Sequence, residues 1–290
     1  MSQTRHFAIQ EDMLPGPGLA DRFGQAADLG LLGIEFWSQT LAAQANDIER
    51  LNGRGGVTAA TVNHGRRSRF LDPDPAERNR ALAELHEAIR LAGRIGAAGV
   101  VFVPHFFGPL LPDLSPFMDA VALERALLTA QLAGLAEQAD RAGVQLWVEP
   151  VNRYETHLLV RLSEAAALIA PLQHPRLGLV ADLFHMALDE PDLPAAIREN
   201  SAAIGHVHLA DSNRRLPGQG TTDFKSALAA LDGAGYSGWL AFECGEPGLP
   251  LQVTASLIMP LSRSTEQGGF LYRISALPAP SQPGRDHRDR

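Results

Sequence analysis

Four residues define the chemistry this sequence could perform: Glu149, Asp182, His208 and Glu243. Each stands at the end of a short apolar run of the kind that forms a buried parallel strand. Together they offer three hard oxygen donors and one nitrogen from four consecutive strand candidates. That set suits a divalent ion such as Mn²⁺, Co²⁺ or Mg²⁺ better than a structural zinc. Three carboxylates buried side by side without a cation would repel one another and take up protons, so an ion is the simplest way to keep them charged. Plainer readings exist for each residue alone: Asp182 as a helix N-cap, Glu149 as a partner of Arg153, His206 and His208 as packed barrel histidines. Four such coincidences on successive strands are the weaker explanation.

Convergence of four strand ends requires a fold that opens them all on one face. Apolar runs at 7–10, 33–37, 57–63, 99–104, 144–149, 177–182, 204–209 and 239–243 predict strands. Helices are predicted near 18–29, 42–52, 75–96, 119–142, 162–171, 192–202, 222–234 and 247–259. The third is the clearest: Asp74 can cap it, Pro75 suits its first position, and Glu77 can complete a capping box. Its apolar stripe runs through Leu82, Leu85, Ile89, Ala92 and Ile95. The joint Gly-x-x-Gly recurs at Gly30–Gly33, Gly96–Gly99 and Gly235–Gly238, where a left-handed helix end meets a closely packed strand start. Eight repeated units of this kind predict a single-domain α/β protein, a (β/α)8 TIM barrel over residues 1–261. A doubly wound sheet fits less well, because no Gly-rich phosphate loop follows the first strand. Residues 105–118 form a long Pro-rich loop with the character of a lid. Residues 262–290 form a C-terminal extension, expected to be partly disordered.

Composition narrows the function class. A chain of 290 residues that is 45% hydrophobic can bury a large core. A net charge of −8 gives no electrostatic footprint for nucleic acid. The single cysteine, Cys244, excludes a disulfide framework or a cysteine-rich metal site, and we expect it to serve as packing. No apolar run reaches the roughly 18 residues of a membrane span, and no signal-peptide core is present. A cytoplasmic enzyme is the expectation.

The segment Glu149-Pro-Val-Asn-Arg-Tyr-Glu155 resembles the Glu-Pro-Leu-Asn-Arg-Tyr/Phe-Glu segment of ketose 3-epimerases, the D-tagatose/D-psicose 3-epimerase group of the xylose isomerase-like TIM barrels. Asp182-Leu-Phe-His185-Met is similar to that group's Asp-Thr-Phe-His-Met. Gly205-His-Val-His208, leading to Asn213-Arg214, and Gly220 to Asp223-Phe224 continue the likeness, and Glu243 follows in place. The resemblance covers most of residues 5–260. It implies one divalent metal, Mn²⁺ ahead of Co²⁺ or Mg²⁺, bound by Glu149, Asp182, His208 and Glu243. It implies Glu149 and Glu243 as the catalytic acid/base pair, inverting C3 of a ketose or related keto-sugar through a cis-enediolate. Glu155, His185 and Arg214 would hold the substrate, and a homodimer or homotetramer is the implied assembly.

Some positions depart from the group. Ala187 stands where a polar residue is usual, and the fourth strand ends in Pro104-His105-Phe106-Phe107, which leaves the far end of the sugar open. Asn63, His64, Trp37 and His105 are candidate substrate contacts. Trp37 is either a stacking wall or core. His64, beside Arg66, Arg67 and Arg69, marks either a site for an acidic substrate group or a solvated basic loop. His157 and His206 read either as supports behind the site residues or as structural, and Asn152, Arg153 and Tyr154 as braces of their loop. The same scaffold also carries aldose–ketose isomerases of the hydroxypyruvate isomerase kind, inosose dehydratases and, more remotely, abasic-site endonucleases. A sugar-binding module without catalysis is the non-enzymatic alternative.

Overall fold

Eight parallel strands close into one barrel in chain order, with the last pairing back onto the first. They are β1 (His6–Gln10), β2 (Gly33–Trp37), β3 (Thr58–Asn63), β4 (Gly99–Phe102), β5 (Gln145–Val148), β6 (Leu177–Asp182), β7 (Ile204–Leu209) and β8 (Trp239–Phe242). The computed structural model describes residues 5–65 and 69–245. Within them the outer layer comprises α1 (Leu19–Asp28), α2 (Ser38–Leu51), α3 (Pro75–Arg94), α4 (Ala120–Ala142), α5 (Leu162–Ile169), α6 (Leu183–Asp189), α7 (Leu193–Asn200) and α8 (Phe224–Gly233). The architecture is the TIM barrel that the alternation predicts. The predicted helix at 247–259, the extension at 262–290, and Arg66 and Arg67 lie outside the described residues.

Strand side chains alternate between two environments. Outward-facing Phe7, Ile9, Val207 and Leu209 join the inner stripes of the helices, including Leu85, Ile89 and Ala92 of α3, in one large core. Inward-facing side chains change character along the barrel axis. Ala8, Ala60 and Ala241 pack with Trp239, while Val101, Trp147 and Val180 form a second apolar cluster. Toward the C-terminal ends the interior turns ionisable, with Glu35, His206 and His208 fully buried.

Glycine makes this interior possible at particular points. A Cβ on Gly205 would lie 2.0 Å from Nε1 of Trp147, and one on Gly178 or Gly99 would also crowd the same indole. These gaps let Trp147 lie flat across the barrel and stack on His206, with ring centroids 5.2 Å apart. In the repeated joint, Gly30, Gly96 and Gly235 have φ of 73°, 74° and 73°, the left-handed helix end expected there.

Two local features differ from expectation. The carboxylate of Asp74 caps α3 by accepting from the Ala76 amide at 2.8 Å, but Glu77 pairs with Arg80 rather than closing a capping box. The short helix α6 lies outside the predicted helices; it starts directly at the end of β6 because Asp182 caps it.

Candidate active site

The C-terminal ends of β5 to β8 bring Glu149, Asp182, His208 and Glu243 together, with one ligand atom from each lying within 4.8 Å of the others. Nδ1 of His208 is the centre of the group. It lies 2.9 Å from Oε1 of Glu149, 3.0 Å from Oε2 of Glu243 and 3.7 Å from Oδ2 of Asp182. All four residues are buried.

Asp182 combines its two readings. Its Oδ1 accepts from the amides of Phe184 at 2.7 Å and His185 at 3.1 Å, which caps α6, while Oδ2 faces the group with no hydrogen bond. Glu243 is divided the same way. Its Oε1 accepts from Gln10 at 2.8 Å and Asn63 at 3.2 Å, and its buried Oε2 is left without one. Glu149 does not pair with Arg153, which binds Asp189 through its backbone amide and guanidinium.

Protonation follows from this crowding. Burial, then the charges of Glu243 and Asp182, push the Glu149 carboxyl up to about 8, although His208 offsets part of the rise. His208 rises well above the ordinary imidazole value, because Glu243, Glu35 and Glu149 outweigh the effect of burial. Burial also acts on Asp182, but His185, His208 and Arg214 outweigh it and hold its carboxyl below the usual range. Protons thus supply the positive charge that the cluster demands. Two buried carboxylate oxygens without a hydrogen bond, one imidazole nitrogen and a carboxyl that would exchange its proton for a cation are a donor set that fits a divalent ion.

A further buried carboxylate, Glu35, lies against His208 on the side away from this group. Glu35 contacts Nε2 of His208 at 3.2 Å and Nε2 of His206 at 3.0 Å, and accepts from Thr61 at 2.6 Å and Gln10 at 3.1 Å. These contacts turn the His208 ring so that Nδ1 faces the three acids. A carboxylate behind an imidazole ligand fixes its orientation and raises its basicity. The only sequence signal for Glu35 was a charged residue inside an apolar strand.

Glu155, His185 and Arg214 border the same opening. Nδ1 of His185 receives the Asn152 backbone amide at 3.1 Å and its side-chain amide at 2.7 Å. A nitrogen that accepts from an amide carries no proton, so the His185 hydrogen sits on Nε2, on the side nearer Asp182. Arg214 adopts a left-handed φ of 59°, places its guanidinium 4.8 Å from the Phe184 ring centroid and reaches Glu155 at 3.3 Å. Its loop is wound around Asp211, whose carboxylate accepts the amides of Ser212, Gly218, Gly220 and Thr222 at 2.7–3.0 Å.

Glu155, His185 and Arg214 line a cavity of about 170 Å³, open to solvent, together with Glu149, Glu243, Asn63 and the apolar Trp37, Val103 and Phe106. His64 and His105 do not line it. His64 is buried beside Ser38, 3.1 Å from its hydroxyl, and His105 turns toward His157. Of the loop residues expected as braces, Asn152 and Arg153 make bracing contacts and Tyr154 is exposed. Cys244 is half-buried at the cavity edge, its thiol directed at the Leu209 carbonyl.

The sequence model of the xylose isomerase-like TIM barrel family matches residues 23–259. The 3-dehydro-D-guloside 4-epimerase of Escherichia coli K12 is 26% identical over 227 residues, which is 78% of this chain and 86% of that one. The L-ribulose 3-epimerase of Mesorhizobium japonicum is 34% identical over 173 residues, 59% of this chain and 56% of that one. The match thus spans a little over half the length of that 3-epimerase. Among solved structures, the 3-keto-D-glucoside 4-epimerase of E. coli superposes with a TM-score of 0.78 at 23% identity, covering 87% of this chain and 97% of that one. At that identity the likeness speaks to the fold. Among the described residues, no helix is long and apolar enough to cross a membrane.

Proposed function

The chain belongs to the xylose isomerase-like TIM barrel family, and from that premise we propose that it is a divalent-metal-dependent sugar epimerase. It inverts the carbon beside a ketone, C3 in a ketose or related keto-sugar. The observation that carries this reading is the placement of Glu149 and Glu243. They come from strands three apart in the barrel, yet meet at 2.9 and 3.0 Å from the same imidazole nitrogen, and both line the cavity.

Glu149, Asp182, His208 and Glu243 would hold the ion, with Mn²⁺ favoured over Co²⁺ or Mg²⁺. When bound, it supplies Lewis-acid polarisation of the substrate carbonyl, which acidifies the neighbouring C–H. Two carboxylates approaching from different sides permit inversion. One removes the proton from the carbon, the other delivers a proton to the opposite face, and the pair is left ready for the reverse reaction. His185 donates its Nε2 hydrogen toward the oxygen that gains charge in the enediolate. Arg214 and Glu155 fix the neighbouring hydroxyls, and Trp37 and Phe106 provide an apolar wall for the ring or chain carbons.

A second substrate reading has specific support. The longer of the two sequence matches is to a 3-dehydro-D-guloside 4-epimerase. A ketone at C3 with inversion at C4 asks the same chemistry of the same two carboxylates. A panel of free ketoses and 3-keto glycosides, incubated in deuterated water with the Mn²⁺-loaded protein, separates the two. We expect deuterium at the inverted carbon, C3 in the first class or C4 in the second. Transfer between C1 and C2 would instead indicate an aldose–ketose isomerase, and loss of water a dehydratase. No exchange with any member would overturn the epimerase reading.

A further inference from the structure

Outside the site described above, His105, Glu124 and His157 form a second cluster in which one ligand atom from each lies within 4.8 Å of the others. They come from three separate elements: the loop after β4, the first turns of α4 and the loop after β5. Glu124 is fully buried, and His105 is only 3% exposed.

The outer atom of each residue is tied to backbone. Nε2 of His105 lies 2.8 Å from the Gly108 carbonyl, and Nδ1 of His157 lies 2.7 Å from the Phe107 carbonyl. A carbonyl only accepts, so both of these nitrogens carry hydrogen. Oε1 of Glu124 accepts the Leu110 and Leu111 amides at 2.7 and 3.2 Å. The inner atoms are what remain. Nδ1 of His105 is buried with no hydrogen-bond partner, and Nε2 of His157 faces Oε2 of Glu124 at 2.6 Å. Two imidazoles held from behind by carbonyls turn their second nitrogens inward beside a carboxylate, the arrangement of a metal-binding histidine pair; Nε2 of His157, which donates to Glu124 here, would give up that hydrogen to an ion.

We propose that His105, Glu124 and His157 form a second metal site, selective for Zn²⁺, that ties the 105–118 loop to α4 and to the loop carrying Glu155. Two nitrogens and one carboxylate are the composition of a three-ligand zinc site, whereas the oxygen-rich set at the barrel mouth suits harder ions. Normal Zn–N and Zn–O distances of about 2.0–2.2 Å ask the 2.6 Å His157–Glu124 pair to part by less than ~1 Å. A His157–Glu124 ion pair alone would leave Nδ1 of His105 buried with nothing to bind. The backbone around the cluster already joins the two loops. The amide of Phe107 donates to the Glu155 carbonyl at 2.6 Å, and that of His157 to the Phe107 carbonyl at 3.2 Å. An ion here would therefore hold Phe106 and Glu155, one on each loop, at the cavity. The proposal does not depend on the epimerase reading.

The test is the number of Zn²⁺ equivalents bound by the chelator-stripped full chain, measured by equilibrium dialysis and metal analysis, and the number lost on substitution. We expect Glu124→Gln and His157→Gln each to lose one equivalent relative to the natural sequence. Retention of the full number in both, with each variant shown to fold by thermal unfolding, would overturn the site. Should a variant fail to fold, the imidazole ¹⁵N spectrum of the natural chain decides. A Zn²⁺-dependent shift of Nδ1 of His105 and Nε2 of His157 supports the site, and signals unmoved by Zn²⁺ overturn it.

Discussion

Oε1 of Glu35 lies 3.2 Å from Nε2 of His208, with both side chains fully buried in the barrel, so Nδ1 is the atom that His208 presents to Glu149, Asp182 and Glu243. Glu35 thus holds His208 in position for the proposed metal centre. Glu35→Gln should weaken Mn²⁺ binding by roughly 10–100-fold, the usual cost of losing such a partner, while the chain still folds. Electron paramagnetic resonance titration of free Mn²⁺ reads the affinity directly. A lowered melting temperature with unchanged affinity would mean that Glu35 serves the barrel interior only.

Ion binding should release protons. In the ion-free protein His208 is raised well above its ordinary value and Glu149 is raised to about 8, so both retain protons at pH 7. Ligands must lose those protons to bind a cation, so affinity falls as pH falls. Calorimetry of Mn²⁺ binding at pH 7 in two buffers of different ionisation enthalpy should report at least about one proton released per ion. Binding heats independent of the buffer would contradict this.

Buried His64 gives the fold a pH dependence of defined sign. Burial lowers it from 6.5 to about 4, so between those values the unfolded chain binds a proton that the folded chain does not. Stability therefore declines as pH falls from about 6.5 toward 4, by on the order of 3 kcal/mol for this group alone. His64→Gln should flatten that part of the profile in thermal unfolding measured across pH. An unchanged slope would assign the loss to other groups.

Gly205 is fixed by Trp147. Gly205→Ala places a methyl 2.0 Å from the indole nitrogen, and overpacking of this kind costs about 1–3 kcal/mol. Trp147→Phe in the same chain should recover part of the loss. Equal melting temperatures for the alanine variant and the natural chain would show that the indole can move aside.

Much of this arrangement was legible before the structure. The strands announce themselves as apolar runs, and Glu149, Asp182 and Glu243 stand out because each ends one. What the sequence hid are contacts made across the barrel between residues far apart in the chain. Glu35 sits inside a strand, next to a register shift between Ile34 and Glu35, so nothing in its spacing points to His206 or His208. Asn152 reads as a loop residue, yet its amides decide which nitrogen of His185 carries hydrogen. Glu124 lies in a helix whose pattern gives no reason to bury a carboxylate. His64 and His105 follow strand ends as Glu149 and Glu243 do, but their side chains do not line the cavity, a placement that residue type and spacing do not encode.

The most direct measurement follows the fate of one hydrogen. The chelator-stripped protein, reloaded with Mn²⁺, is incubated with free ketoses and 3-keto glycosides in deuterated water, alongside Glu243→Gln. We expect the natural protein to place deuterium at the inverted carbon beside the ketone. The variant should keep part of its ion while losing at least about 100-fold in exchange, as expected when an acid/base group is removed. An absence of exchange across the whole panel, or full exchange in the variant, would contradict the two-carboxylate mechanism.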